Sequence, residues 1–156
     1  MVCLRTIQIY GTTNHKPKNV VITGSSSGIG KSLANQFFKQ GDNVIITSRN
    51  KEKVYNTCLE LMLSNDKNKG TLIPFVADVS NHNDCKNLVD FSNDVFDSID
   101  IWINNAGTNA YKISYFHEFD EVECKSIVNT NLLGTMYCCK YILPILEKQN
   151  NGILIN

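Results

Sequence analysis

The feature that most constrains the fold of this chain is a regular alternation of two kinds of apolar segment. Short, nearly continuous runs of Val, Ile and Leu alternate with longer segments whose apolar residues recur at helical intervals. The first pattern is typical of buried strands, and the second is typical of amphipathic helices. Strands that are apolar on both faces need helices on both faces, and right-handed crossovers place them there. The sequence therefore predicts an α/β fold with a doubly wound parallel sheet in three layers.

The predicted elements follow one another along the whole chain. Strands are expected at 19–23, 44–47, 72–76, 99–103 and 153–155. Helices are expected from Ile29 until a stop at Gly41, at 51–64, over the apolar positions between 88 and 96, and at 121–148. The last helix is predicted to break near Asn129 and to kink or end before Pro144, and Pro74 suggests that the third strand lies at a sheet edge. Loops are expected at 65–70 and 104–118.

Composition excludes several classes of protein. Apolar residues make up 42% of the chain, which is enough for a core and excludes a wholly disordered chain. Lys and Arg total 15 and are balanced by 15 acids, so the basic excess of a nucleic-acid binder is missing and no nucleic-acid partner is expected. No apolar run approaches the roughly 20 residues that a membrane-spanning helix needs. The six cysteines form no C-x-x-C pair, so we expect no metal site and reduced thiols that fill the core.

The N-terminal 18 residues stand apart from the regular pattern. They include Arg5, His15, Lys16 and Lys18 but no acid, which is weakly typical of the end of a targeting peptide. The alternative is a loose N-terminal tail. We therefore divide the chain into a tail, residues 1–18, and one domain, residues 19–156, without an internal repeat or a linker.

The strongest local signal is the segment Thr23-Gly-Ser-Ser-Ser-Gly-Ile-Gly30, between the first strand and the first helix. The first glycine of such a motif allows a tight turn, the second lets backbone N–H groups approach a pyrophosphate, and the third lets the helix pack on the sheet. The positive end of the helix dipole favours the same anion. The segment predicts a Rossmann-like NAD(P)-binding domain, with these cofactor-binding residues: Gly24, Ser25, Ser26, Ser27, Gly28, Ile29 and Gly30.

The end of the second strand indicates which dinucleotide binds. An NAD site usually has a carboxylate there for the ribose 2′-hydroxyl. This chain instead has Ser48 followed by Arg49, and a guanidinium can pair with a 2′-phosphate in a fork geometry. We therefore predict that NADP(H) is preferred over NAD(H). The alternative is that Arg49 is an ordinary surface arginine.

Two further segments follow strand ends. Asp78 and Val79 follow the third strand, where the carboxylate either accepts a hydrogen bond from an adenine amino group or caps the next helix. The segment Asn104-Asn-Ala-Gly107 follows the fourth strand, where Asn amides can bridge neighbouring strand ends. Ala-Gly leaves room for a ribose. We expect Asn105, Ala106 and Gly107 to form a wall of the ligand site beside the switch point of the sheet.

The combination of these motifs resembles the short-chain dehydrogenase/reductase family over residues 19–156. The resemblance rests on T-G-x-x-x-G-x-G after the first strand, Asp-Val after the third and Asn-Asn-Ala-Gly after the fourth. A further motif of that family lies on its fifth helix, and the segment from Thr130 to Thr135 resembles it. The resemblance implies that Asn131 is the catalytic Asn, which binds a water in a proton relay. The alternative is a buried polar residue that is satisfied at a helix kink.

A narrower resemblance points to the plant-type chlorophyll(ide) b reductases. It rests on the segments 41–49, 101–111 and 136–139. It implies NADPH-dependent reduction of a formyl group on a chlorin ring to hydroxymethyl, in a plastid. A different carbonyl substrate and a cytoplasmic location are the alternatives. Ser27 departs from the pattern, because those relatives often carry a basic residue at this position.

The catalytic Ser, Tyr and Lys of the family are missing from this sequence. In the family a Tyr donates the proton to the developing alkoxide, a Lys four residues later lowers its pKa, and a Ser holds the carbonyl oxygen. None of the six Tyr residues has a Lys four positions on, and the Ser is expected just beyond the strand that ends the sequence. We therefore expect the N-terminal part of a reductase, inactive alone, whose full-length form is a homo-oligomer. The alternative is a complete, non-catalytic dinucleotide-binding protein.

Overall fold

The computed structural model describes residues 16–65, 70–109 and 115–156. The strands are β1 (Asn19–Ile22), β2 (Asn43–Ser48), β3 (Leu72–Val76), β4 (Ile101–Ile103) and β5 (Ile153–Ile155). The helices are α1 (Gly28–Gln40), α2 (Lys51–Leu63), α3 (His82–Val95), α4 (Glu121–Ile127) and α5 (Thr135–Gln149). A π-helical segment (Val128–Gly134) joins α4 to α5, and a short 3₁₀ helix spans Phe116–Glu118.

The strands form one parallel sheet in the order β3-β2-β1-β4-β5. The chain moves outward from β1 to β3 and then returns to place β4 on the other side of β1. The register pairs Val21 with Ile45 on one side and with Trp102 on the other. The predicted doubly wound α/β fold is therefore confirmed, and β3 lies at an edge as Pro74 indicated. The direction of winding reverses between β1 and β4, which makes this the switch point where ligands bind in such sheets.

Alternate strand residues point to opposite faces of the sheet and enter two separate cores. On one face Val20 and Ile22 pack with Ala34 of α1 and Val54 of α2. On the other face the core includes Val21 and residues of α3 and α5: Leu88, Val89, Cys138, Ile142 and Leu146. Trp102 is fully buried in this second core, as expected for a packed aromatic. Helices therefore pack on both faces of the sheet, although Ile153 and Ile155 of β5 are exposed.

The sequence predicts irregularities at two places in the long C-terminal helix, and the structure agrees at one of them. The predicted break near Asn129 is the π-helical segment, which contains that residue. The option that the helix ends before Pro144 is wrong, because α5 continues to Gln149. Proline removes one backbone donor, but Ile142 and Leu146 on either side of it are buried against the sheet and hold the helix in place.

Some predictions concern residues that the structure does not describe. Residues 1–15 of the proposed tail, including Cys3 and Tyr10, lie outside the described ranges, as do 66–69 of one loop and 110–114 of another. The described part of the second loop ends in the 3₁₀ helix. Cys58, Cys85 and Cys138 are buried in the cores, as expected. Among the described residues, no His, Cys, Asp and Glu side chains group as a metal site, and no helix is long and apolar enough to span a membrane.

Candidate functional site

The carboxyl ends of β1, β2, β3 and β4 surround a cleft of about 310 Å³. Most of the residues that the sequence singled out line it: Gly24, Ser26, Ser27, Ile29, Ser48, Arg49, Asp78, Val79, Asn105, Ala106 and Gly107. The lining also includes residues that the sequence did not single out, namely Lys53, Ala77, Thr108 and Thr130. The topology thus brings five separate segments of the chain together at the switch point.

The glycines before α1 allow two very close approaches. Gly24 has φ +63°, and a Cβ there would lie 2.7 Å from the Cα of Ala106. A Cβ on Gly30 would lie 2.4 Å from Nδ2 of Asn105. Both distances are far below van der Waals contact, so only glycine lets the loop and the helix meet the end of β4. Gly28, with φ +56°, faces open space instead.

The amino-terminal end of α1 is open toward the cleft. Ser27 is the N-cap residue, but its side chain makes no capping bond, and the first turn contains no acid. The backbone N–H of Lys31 donates to the Ser27 carbonyl. The N–H groups of the three residues before Lys31 lie in the first turn, where a helix offers them no acceptor of its own. Ser27 and Ile29 line the cleft. The positive end of the helix dipole therefore lies at the cleft wall and favours an anion.

Ser25 lies outside the cleft lining although it belongs to the glycine motif. Its side chain is fully buried, and its Oγ donates to the Ile22 carbonyl at 2.7 Å and accepts from the Thr47 N–H at 2.9 Å. The hydroxyl is thus occupied in joining β1 to β2. Gly28 and Gly30 are also absent from the lining. The sequence pattern did not distinguish residues that shape the loop from residues that face the cleft.

Asn105 bridges the ends of β1 and β4, as its side-chain chemistry suggested. Its Nδ2 donates to the carbonyls of Thr23 at 2.9 Å and Gly24 at 3.2 Å. In return, the Thr23 Oγ1 accepts from the backbone N–H groups of Asn105 and Ala106, both at 3.0 Å. Asn104 points the other way and links Trp102 of β4 to Asn156 beyond β5. These bonds hold Ala106 against Gly24.

Asp78 lines the cleft but does not cap the helix that follows it. Its Oδ1 accepts from the N–H of Ser80 at 2.9 Å and from the Ser80 hydroxyl at 2.7 Å. The N-cap of α3 is Asn81, whose Oδ1 accepts from the N–H groups of Asn83 and Asp84. The helix-capping alternative for Asp78 is therefore wrong, because the helix begins three residues later than that role requires.

Two cations lie along the cleft wall at the end of β2. Arg49 follows the strand, and Lys53 lies in the first turn of α2, four residues later. The Ser48 Oγ accepts from the Asn50 N–H at 3.2 Å, and Asn50 in turn caps α2 by accepting from the Lys53 N–H at 2.8 Å. Sequence reasoning missed Lys53. The four-residue spacing from Arg49 at a predicted helix start was the available signal.

Asn131 lies beside the cleft without lining it. It is exposed, within the π-helical segment, and both ends of its amide bond the backbone of Thr108: Oδ1 accepts from the N–H at 2.8 Å and Nδ2 donates to the carbonyl at 2.9 Å. The amide is satisfied at a helix irregularity, as the alternative interpretation held, but the residue is not buried. Thr108 and Thr130 line the cleft, so Asn131 joins two of its borders.

A pair of buried thiols lies behind the wall formed by Val79. The Cys85 thiol donates to the Val79 carbonyl at 3.2 Å. Its hydrogen bond with Cys138 lowers the pKa of Cys85, and the same bond together with burial raises the pKa of Cys138. Cys138 is therefore held as a thiol, which is the unreactive form of cysteine.

Comparison with known proteins gives concordant results. The family model for short chain dehydrogenases matches residues 18–156. The chain is 41% identical over 136 residues to the chlorophyll(ide) b reductase NOL, chloroplastic, of Oryza sativa subsp. japonica, covering 87% of this chain and 39% of the relative. It is 39% identical to the protein of the same name from Arabidopsis thaliana, over 87% of this chain and 38% of that one.

A solved structure of ElxO with NADP bound matches with a TM-score of 0.77 and 32% identity. The match covers 89% of this chain and 54% of that one. The chain thus spans about two fifths of the length of the curated relatives and about half of this structure.

Proposed function

The chain belongs to the short chain dehydrogenase family, and from that premise we propose that it is the dinucleotide-binding part of an NADP(H)-dependent carbonyl reductase. Residues 19–156 form the dinucleotide domain in this proposal, and residues 1–18 form the tail. The observation that carries the proposal is the cleft at the switch point, where the open end of α1 and the cation Arg49 lie on one wall.

The cleft has the chemistry that a dinucleotide phosphate needs. The uncapped first turn of α1 can hold the pyrophosphate, and the close contact of Gly24 with Ala106 makes a narrow floor that a ribose can cross. The carboxylate of Asp78 can accept from an adenine amino group. When bound, the reduced cofactor supplies a hydride to the carbonyl carbon. In this scheme Asn131 keeps the family role of the catalytic Asn by resemblance, and its bonds to Thr108 support a place at the border of the cleft.

The preference for NADP(H) is tested by removing Arg49. The two positions at the end of β2 are Ser48 and Arg49, so no carboxylate stands there to repel a 2′-phosphate or to hold a 2′-hydroxyl, and a similar solved structure has NADP bound. We expect the chain to bind NADPH at least about tenfold more tightly than NADH, and Arg49→Ala to remove most of that difference. Fluorescence titration with both nucleotides measures it.

Lys51→Ala is the matched control, since Lys51 is an exposed cation near Arg49 that does not line the cleft. An Arg49→Ala variant with the same nucleotide preference as the parent chain contradicts the assignment of NADP(H).

The proposed substrate of the full-length protein is the formyl group of chlorophyll(ide) b. Support comes from the identity of about 40% with plant proteins that bear this name. The test uses a protein lengthened to include the Tyr and Lys of the family, incubated with NADPH and chlorophyll b. Formation of the 7-hydroxymethyl product is expected. Reduction of simple ketones without this product would assign a different carbonyl substrate.

A non-catalytic dinucleotide-binding protein is the second candidate. The observation in its favour is that no Tyr in the 156 residues is followed by a Lys four positions later. The coding sequence downstream of the Asn156 codon separates the two candidates. A continued frame with Tyr-x-x-x-Lys supports the reductase, and a verified stop codon supports the binding protein.

Two properties of the full-length protein complete the proposal. We place it in a plastid, on the strength of the chloroplastic relatives, and a fluorescent fusion in plant cells tests the location against the cytoplasm. We also propose that it is a homo-oligomer. Exposed apolar side chains on and before α5, including Leu132, Met136 and Leu143, support an interface on this helix. Light scattering on the lengthened protein measures the oligomeric state.

A further inference from the structure

Lys53 is the charged residue of the cleft lining that neither the glycine motif nor the strand ends account for. It lines the dinucleotide cleft, and it also lines a more open groove of about 400 Å³ between α1 and α2. Arg49 is the other cation of the cleft, and Asp78 is the carboxylate among its lining residues. The wall next to the end of β2 therefore carries two positive charges four residues apart.

The first turn of α2 is held firmly against the glycine loop. Asn50 caps the turn through the Lys53 N–H, and the Thr57 hydroxyl, one turn further on, donates to the Ser26 carbonyl at 3.0 Å. Ser26 itself lines the cleft. The backbone that carries Lys53 therefore has a fixed position relative to the cleft, although its side chain is exposed.

Glu52 and Glu60 are the acids that line the open groove with Lys53, and neither forms a salt bridge with its ammonium. Glu60 pairs with Lys31 at 2.7 Å. Among the described residues, no salt bridge joins a carboxylate to Lys53. A cation in the first turn of a helix is also unfavourable for the helix dipole, so this position does not serve helix stability.

We propose that Lys53 is a specificity-determining residue, and that with Arg49 it binds a phosphate monoester on the 2′-position of the nucleotide. This inference rests on the proposed NADP(H) function. A phosphate monoester carries close to two negative charges at neutral pH, because its second pKa is about 6. Two cations match that dianion, whereas a 2′-hydroxyl has no charge for them to neutralise.

The test compares two nucleotides that differ at the 2′-position. Calorimetry measures binding of adenosine 2′,5′-bisphosphate and of adenosine 5′-monophosphate to the 156-residue chain at low salt, up to millimolar ligand. Lys53→Gln should weaken binding of the bisphosphate about five- to tenfold and leave the affinity for the monophosphate nearly unchanged. Lys53→Arg should restore most of the loss. Lys51→Gln, which removes an exposed cation from the same turn, should change neither affinity.

The pH dependence provides a second measurement. As the pH rises from about 5 to about 7.5 the 2′-phosphate gains its second charge, so the preference for the bisphosphate should increase in the parent chain. The increase should be smaller in Lys53→Gln.

Each contrary outcome has a distinct meaning. If Lys53→Gln behaves like Lys51→Gln, the role of Lys53 is refuted and the NADP(H) proposal stands. If Lys53→Gln weakens binding of both nucleotides by the same factor, Lys53 contacts a group that both nucleotides share, and its role in specificity is refuted. If the parent chain shows no preference for the bisphosphate, or binds neither nucleotide, the inference and the NADP(H) proposal fall together.

Discussion

Two separate constraints act on Gly24, the residue on which the floor of the cleft depends. Its φ of +63° lies in a region that residues with a side chain rarely adopt, and Ala106 leaves no room for a Cβ. Gly41, after α1, has φ +94° but open space where a Cβ would lie, with no atom within 4 Å. Both glycines therefore have a positive φ, but only Gly24 is in close steric contact. Comparing them separates the cost of backbone strain from the cost of the steric clash.

Substitution by alanine should show this difference in stability. Gly41→Ala is expected to lower the free energy of unfolding by about 1 kcal/mol, from backbone strain alone. Gly24→Ala should cost at least about 1 kcal/mol more, because the loop must also move away from Ala106. Urea denaturation measures both. Equal losses for the two variants would mean that the contact with Ala106 contributes nothing.

At the scale of elements, the π-helical segment matters most for the site. Gly134 in this segment packs against Val79, where a Cβ would lie 2.8 Å from a methyl carbon of that residue. Asn131 in the same segment bonds both backbone groups of Thr108. The segment therefore joins the end of β3 to the loop after β4, and π-helical turns are frequent at functional sites for such reasons.

The link between Asn131 and Thr108 can be tested by amide exchange. Asn131→Ala should speed hydrogen exchange at the Thr108 amide about tenfold or more, since that N–H loses its acceptor. Asn129→Ala, an exposed neighbour in the same segment, should leave the rate unchanged. Unaltered protection of Thr108 in the Asn131 variant would show that another group holds the loop.

At the scale of the whole molecule, the 156 residues contain the cleft at the switch point but no Tyr-x-x-x-Lys motif. We predict that the purified 156-residue chain shows no NADPH-dependent turnover with carbonyl substrates, because nothing in it supplies the Tyr proton donor with its activating Lys. Absorbance at the reduced nicotinamide band measures turnover, and the lengthened protein is the positive control. Turnover above background by the chain itself would contradict the prediction.

The sequence by itself determined the fold class and most of the cleft. Periodicity indicates which segments bury both faces, and a strand followed by glycines and a helix predicts a cleft at one sheet edge that favours an anion. Asn105 was also predictable, since an amide at a strand end has neighbouring carbonyls within reach. The first two inferences depend on residues that are adjacent in sequence, where local geometry is nearly fixed by chemistry, and the third depends on parallel strands ending at the same edge of the sheet.

Only the tertiary structure decided how residues distant in sequence share the space around the cleft. Ser25 faces inward because β2 offers it a buried N–H, and Lys53 reaches the cleft because α2 packs against the glycine loop. Asp78 does not cap α3 because Asn81 starts that helix. Asn131 meets Thr108 across 23 positions of sequence. Such contacts depend on the packing of whole elements, which residue type and spacing do not specify.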